Sequence, residues 1–230
     1  MIFVSELIFS EVGEKTNNDV LPLKPYQALD TPVSTHADML VFVLDKRIFC
    51  YSDYYFDNKE IFDKAEKSGY TVVPLGIACD KSYPNDVALN ILVMGKTLFA
   101  NSKYISREIL SYAIDNGYDF IDVKQGYSAC STLVLDEKNA ITADKGIYDA
   151  IKSAGKNATL ISAGGIKIEK YDYGFIGGAS FVIDDTVYFF GDIKKHPDYD
   201  IIYKKINDLN MRVFCIRHGQ VFDFGGARVI

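Results

Sequence analysis

Apolar residues along this chain fall in short runs that return in a fixed order. Residues 36–76 read HADMLVFVLDKRIFCYSD, then NKEIFDKAEKSG, then YTVVPLG, and residues 86–126 read DVALNILVMGKTLFANSK, then SREILSYAIDNG, then YDFIDVKQG. Short β-rich runs bounded by turn residues predict strands, and apolar pairs one helical turn apart predict helices with one buried face. Those pairs are Ile61/Phe62 with Ala65, Ile109/Leu110 with Ala113/Ile114, and Ile201/Ile202 with Ile206. Gly69, Gly117 and Gly155 stand where a helix C-cap favours positive φ. Asp45-Lys46, Gly95-Lys96 and Asp184-Asp185 stand where a hairpin must turn. The predicted unit is strand, tight turn, strand, helix, strand.

The unit recurs over residues 128–164 and again over 178–219. Its halves also stand at the two ends: Gly225-Gly226-Ala227-Arg228-Val229-Ile230 resembles a first strand, Met1-Ile2-Phe3-Val4 a second, and Val20-Leu21-Pro22-Leu23 a third. Self-similarity of this kind marks a repeat architecture. The fold class expected is an α/β, five-bladed propeller of ββαβ repeats, forming one domain over residues 1–230 with the fifth unit split between the termini. The alternative is an α/β domain with coincidental periodicity.

A chain of 230 residues buries enough surface to fold without a disulfide or metal staple. Its net charge of -6 argues against nucleic acid as the main partner. No run of about 18 apolar residues predicts a membrane span, and MIFVSELIFSEVGE lacks the basic region and cleavage site of a signal peptide. Cysteines 50, 79, 130 and 215 show no paired spacing, so a reduced, cytoplasmic protein is expected. Three familiar motifs fail. Gly95-Lys96-Thr97 would need glycine at position 90 to form a phosphate-binding loop, and Asn90 stands there; Gly164-Gly165 and Gly177-Gly178 do not form a dinucleotide fingerprint. No metal or organic cofactor is implied, and oligomeric state is open.

One stretch raises a chemical question. Gly126–Leu135, GYSACSTLVL, sets Cys130 among small residues at the start of an apolar run. The thiol is either a small buried hydrophobe or a nucleophile at the rim of a pocket. Cys50, Cys79 and Cys215 read as core, His218 as structural and His196, before Pro197, as solvated. Tyr51-Ser52-Asp53-Tyr54-Tyr55-Phe56-Asp57 reads as an aromatic loop before a helix: a lid, an exposed patch, or packing beneath that helix.

A ring of five ββαβ units resembles the pentein, or guanidino-group-modifying enzyme, superfamily, which includes arginine deiminase, agmatine deiminase, dimethylarginine dimethylaminohydrolase, amidinotransferases and a non-catalytic ribosome anti-association factor. GYSACSTLVL looks like the nucleophile segment of the dimethylarginine hydrolases, and His36-Ala37-Asp38 looks like the His-x-Asp strand of arginine deiminase. The resemblance implies Cys130 as nucleophile, His36 as general acid/base, and Asp38, on the same strand face, as substrate anchor and histidine orienter. Asp223 or Asp86 would complete the anchoring, and Arg228 is a candidate for a ligand carboxylate. The family cysteine usually lies near the C-terminus, so the resemblance also implies a circular permutation. Two acids depart from the pattern: Phe175–Ser180 carries none, and Phe224-Gly225-Gly226-Ala227 has Asp223 one place early. The reaction implied is cleavage of a guanidine- or amidine-like C–N bond through a covalent thiouronium, on a small molecule in the central channel. The alternative is a non-catalytic binding module.

Overall fold

The computed structural model describes residues 1–230. Its first elements are β1 (Ile2–Ser5), α1 (Phe9–Thr16) and β2 (Val20–Leu23). A single helical turn, α2 (Ala37–Leu40), leads into β3 (Val41–Leu44), β4 (Arg47–Tyr51), α3 (Ser52–Asp57), α4 (Lys59–Lys67) and β5 (Thr71–Leu75). The same grammar gives β6 (Leu92–Met94), β7 (Thr97–Ala100), α5 (Arg107–Asp115) and β8 (Asp119–Asp122). It continues with β9 (Thr132–Val134), β10 (Asn139–Thr142), α6 (Lys145–Ser153) and β11 (Asn157–Leu160). Last come β12 (Ser180–Ile183), β13 (Thr186–Phe189), α7 (Tyr199–Asp208), β14 (Arg212–Cys215) and β15 (Ala227–Val229).

These strands form five three-stranded sheets. In each, the middle strand pairs antiparallel with the first and parallel with the third. A tight turn allows only the first pairing, and a helical crossover allows the second. Asp45, Gly95 and Asp184 adopt the positive φ that hairpin turns require. The fifth sheet is assembled from both ends as expected: Ile2 pairs with Val229 in β15 and with Val20 in β2. The terminal ammonium of Met1 donates to Ile230 O at 3.0 Å, and Ile230 N donates to Met1 O at 2.9 Å.

Burial follows the amphipathic pattern with two exceptions. Ile61, Phe62, Ala65, Ile109, Ala113, Ile202 and Ile206 are buried and Leu110 is half-buried, whereas Ile114 and Ile201 are 55% and 47% exposed. Each lies next to a buried position, and one residue of helix turns a side chain by about 100°. Tyr51–Asp57 is not a loop: it is the end of β4 and all of α3, with Tyr51 and Tyr54 fully buried. Tyr54 Oη donates to Lys24 O at 3.0 Å, so most of the segment is packing, not a lid. Cys215 and Phe214 lie on the outer strand β14, half-buried and exposed respectively, and Cys79 is also half-buried, which corrects the expectation of core for Cys79 and Cys215.

The first strands of all five sheets, β3, β6, β9, β12 and β15, line a shared cavity of about 310 Å³. β9 contacts β6 and β12, and β15 contacts β12 and β3. No helix is long and apolar enough to cross a membrane. Helix caps contribute locally: Asp144 accepts from Ile147 N at 2.8 Å to open α6 and from Gln125 Nε2 at 2.9 Å. Asp144→Ala is expected to cost about 1 kcal/mol, or roughly 2–4 °C of Tm for a chain of this size. Scanning calorimetry checks this, and an unchanged Tm would contradict the capping role.

Candidate active site

The loops that precede the five first strands converge at one end of the shared cavity. Cys130 lies in the turn just before β9, 4% exposed. Its thiol donates to Asp38 Oδ2 at 2.7 Å, and its sulfur accepts from Asn90 Nδ2 at 2.9 Å. Asn90, fully buried before β6, also accepts from Ala129 N and Cys130 N at 2.8 and 3.2 Å and donates to Asp38 O at 3.1 Å. One amide therefore fixes the Cys130 backbone, its sulfur and the backbone of Asp38 beside it. Sequence reasoning missed Asn90. Its signal was a lone polar residue inside Val87-Ala88-Leu89-Asn90-Ile91-Leu92, since a buried polar side chain must find partners.

His36 precedes α2, not a strand. The apolar run from Met39 to Leu44 hides where helix ends and strand begins, so the expected His-x-Asp alternation is replaced by one helical turn. The turn divides the pair: Asp38 meets Cys130, and the carboxylate facing His36 is Asp223, with Nδ1 and Oδ1 3.8 Å apart. Asp223 is held facing His36 by two backbone donors. It accepts from Phe175 N at 2.8 Å and from Gly225 N at 2.9 Å. Glycine at 178 makes room for it, because a Cβ there would lie 2.1 Å from Asp223 Oδ1. Gly225, at φ +79°, lets the backbone press against His36, where a Cβ would lie 2.2 Å from the histidine Cβ.

His36, Cys130 and Asp223 open onto one cavity of about 240 Å³. Its walls are largely aromatic and aliphatic: Tyr127, Tyr171, Tyr173, Phe175, Met39 and Val33. Much of this wall belongs to the irregular segment between β11 and β12. That segment is pinned where Lys167 N donates to Val221 O at 2.9 Å and Asp223 N donates to Lys167 O at 2.8 Å. Tyr171-Asp172-Tyr173-Gly174-Phe175 was the second signal missed, an aromatic run in a loop rather than at a helix.

Burial, with Asp38 and Asp223 nearby, pushes the Cys130 thiol well above its ordinary range. Burial also raises Asp38 to about 6, opposed by the positive charges of His36 and Arg228. A carboxyl raised on folding contributes stability fully present below its unfolded value near 3.8 and lost as pH climbs through about 6. Asp38→Asn is therefore expected to gain in Tm relative to the native chain at pH 8 and to lose that gain by pH 4. Parallel melts across that window check it, and a pH-independent difference would contradict a buried charge at Asp38.

The remaining candidates lie elsewhere. Asp86 is separated from the cavity by Tyr127, whose hydroxyl donates to Asp86 Oδ2 at 2.6 Å. Arg228 lines the larger cavity between the first strands, where Nε donates to Val41 O at 3.3 Å and Nη1 to Ala227 O at 3.4 Å. It does not line the smaller cavity, and its charge favours the ionised form of Asp38 against burial. Asp38 lines neither cavity and so is not placed as a direct anchor. His196 is buried, not solvated, and accepts from Asp198 N through Nδ1 at 3.0 Å.

Solved structures share this architecture. The inosamine-phosphate amidinotransferase of Streptomyces griseus is 13% identical, with 95% of this chain and 76% of that one covered and a TM-score of 0.61. The agmatine deiminase of C. jejuni is 11% identical over 94% and 86% of the two chains, with a TM-score of 0.56. A cysteine-to-serine mutant of dimethylarginine dimethylaminohydrolase from Pseudomonas aeruginosa, complexed with citrulline, is 15% identical over 90% and 78%, with a TM-score of 0.55. These are pentein-superfamily members, and the mixed α/β fold of five small sheets is theirs. No curated protein matches the sequence. A family model described as "Family of unknown function (DUF6873)" matches residues 5–227.

Proposed function

Since the chain belongs to the family of unknown function DUF6873, its own site must supply the functional reading, and we propose a cysteine-dependent hydrolase or transferase acting on a small guanidine- or amidine-like C–N bond. The observation that carries the proposal is the convergence of Cys130, His36 and Asp223 on one aromatic cavity, with Asp38 2.7 Å from the sulfur. The amidino-modifying activities printed for the structural neighbours support the same class. The scaffold proposed is a single-domain five-bladed propeller, circularly permuted relative to those neighbours. The four free cysteines fit a reducing, cytoplasmic setting.

The resting site holds a neutral thiol on a buried carboxylate, and a cationic substrate supplies the charge that favours thiolate. Sγ attacks the amidinium carbon while its proton passes to Asp38. His36, with Nδ1 toward Asp223, uses Nε2 to protonate the departing nitrogen, which leaves as ammonia or an amine. A water then gives a proton to His36 and adds to the thiouronium carbon. Collapse to a carbonyl expels the sulfur, which regains its proton from Asp38, and the remaining proton leaves with ammonia as ammonium. With an amine in place of water, the same intermediate would transfer the amidino group.

Acid-quenched intact-mass spectrometry during incubation with alkylguanidines and amidines tests this. The expected result is a Cys130-linked amidino adduct with release of ammonia or amine, and loss of both in Cys130→Ser. No adduct and no release from any compound would overturn the enzyme reading. It would favour the second reading, a non-catalytic binding module, which the near-complete burial of Cys130 also fits.

A further inference from the structure

The smaller cavity has a one-sided chemistry. Its charged lining residues are His36, Asp172 and Asp223, and neither lysine nor arginine reaches it. Four aromatic rings stand around these acids: Tyr127 and Phe175 have centroids 6.0 Å apart, and Tyr173 meets Phe175 edge-on at 6.2 Å. Tyr171 is steadied by its hydroxyl, which donates to Asp30 Oδ2 at 3.3 Å, adding another acid behind the wall. Aromatic faces carry negative potential and attract cations. A carboxylate entering this space would lose its hydration next to ring faces and like charges, with no lysine or arginine to receive it and with His36 already facing Asp223. Arg228, the one arginine singled out from sequence for that task, lines the other cavity, where Nε and Nη1 donate to backbone carbonyls and Nη2 has no partner.

We propose that the cavity selects an N-alkyl guanidinium or amidinium that carries an apolar chain and no carboxylate, and rejects guanidino amino acids. The proposal rests on the amidine reading of the Cys130 site but concerns what sits beyond the reacting carbon. The acids Asp172 and Asp223 hold the cationic head near the sulfur, while the rings of Tyr171, Tyr173 and Phe175 cover the alkyl chain. Tyr173 is a specificity-determining residue in this scheme: it lies between β11 and β12, lines the cavity and is 44% exposed, so a longer charged side chain can be accommodated there.

Titration calorimetry on Cys130→Ser, which binds without reacting, separates recognition from chemistry. n-Butylguanidine is expected to bind at least about tenfold tighter than L-arginine, a factor set by roughly 1.4 kcal/mol. Tyr173→Arg in the same background should narrow or reverse that ratio by strengthening arginine. Equal or tighter binding of arginine to the unaltered cavity, or no binding of either compound, would overturn the proposal. So would a ratio left unchanged by Tyr173→Arg. The two readings fail separately. A butylguanidine preference without any Cys130 adduct in the native chain sinks the enzyme and keeps the selectivity; an adduct with an arginine preference does the reverse.

Discussion

Asparagine in place of Asp223 is expected to damage both stability and turnover, although the two side chains have the same shape. Asp223 uses both oxygens as acceptors, one for Phe175 N and one for Gly225 N. An amide must present its NH2 to one of these donors whichever way it flips. A buried donor left facing a donor costs about 1–3 kcal/mol, or roughly 2–12 °C of Tm at this chain length. The substitution also removes the charge 3.8 Å from His36 Nδ1, which the proposed mechanism uses to orient the ring. Comparable loss of an orienting carboxylate lowers turnover by about 10⁴-fold in a well-known triad, and a fall of about 10³-fold or more is expected here. Thermal melts and steady-state turnover, measured on the same preparation, check both halves. An Asp223→Asn protein that turns over normally would remove Asp223 from the mechanism.

Alanine at Gly177 is the other large effect. A Cβ there would lie 2.4 Å from both Ala129 O and Thr132 O and 2.7 Å from Cys130 O. These are backbone atoms of the Cys130 turn, so no side chain can swing aside. The Gly178 N to Cys130 O hydrogen bond, 3.1 Å long, would be strained with them. Overpacking and a lost buried hydrogen bond together are expected to cost about 2–4 kcal/mol, or roughly 4–16 °C of Tm. Displacement of Cys130 by even 1 Å is expected to lower turnover about 10²-fold in the protein that remains folded. Gly76→Ala is the control: nothing lies within 4 Å of its Cβ position, and its Tm should stay within the small change of a surface substitution. A Gly177→Ala protein as stable as that control would contradict the packing described.

The repeat was legible because its determinants are local. Hairpin turns at Asp45, Gly95 and Asp184 and the caps at Gly69, Gly117 and Gly155 are each fixed by a few neighbouring residues. The split unit was legible for the same reason, since Met1–Val4 and Ala227–Val229 read as strands without knowing that they pair. The site was less so, because its pairings join distant residues. Sequence placed Cys130, His36 and Asp223 among the candidates, but assigned His36's partner to Asp38, its neighbour in sequence. The helical turn of α2 breaks that pairing, and nothing in Ala37–Leu44 marks the switch to strand. Tyr51–Phe56 and Tyr171–Phe175 have similar compositions, yet Tyr51 and Tyr54 are buried while Tyr171 and Tyr173 are exposed and line the site. Only packing separates them.

The central claim is that Cys130 is a nucleophile activated by a cation. The most direct test is its alkylation at pH 7 by 2-chloroacetamidine against iodoacetamide, with labelling mapped to Cys130 because Cys79 and Cys215 are partly accessible. The resting thiol is held neutral by burial and by Asp38, so the neutral reagent should react slowly, while the amidinium brings its own charge to the acids. A preference of about 10²-fold for the cationic reagent at Cys130 is expected, on the order of a general acid–base or charge effect at one site. Equal rates with the two reagents, or faster labelling by iodoacetamide, would contradict the account.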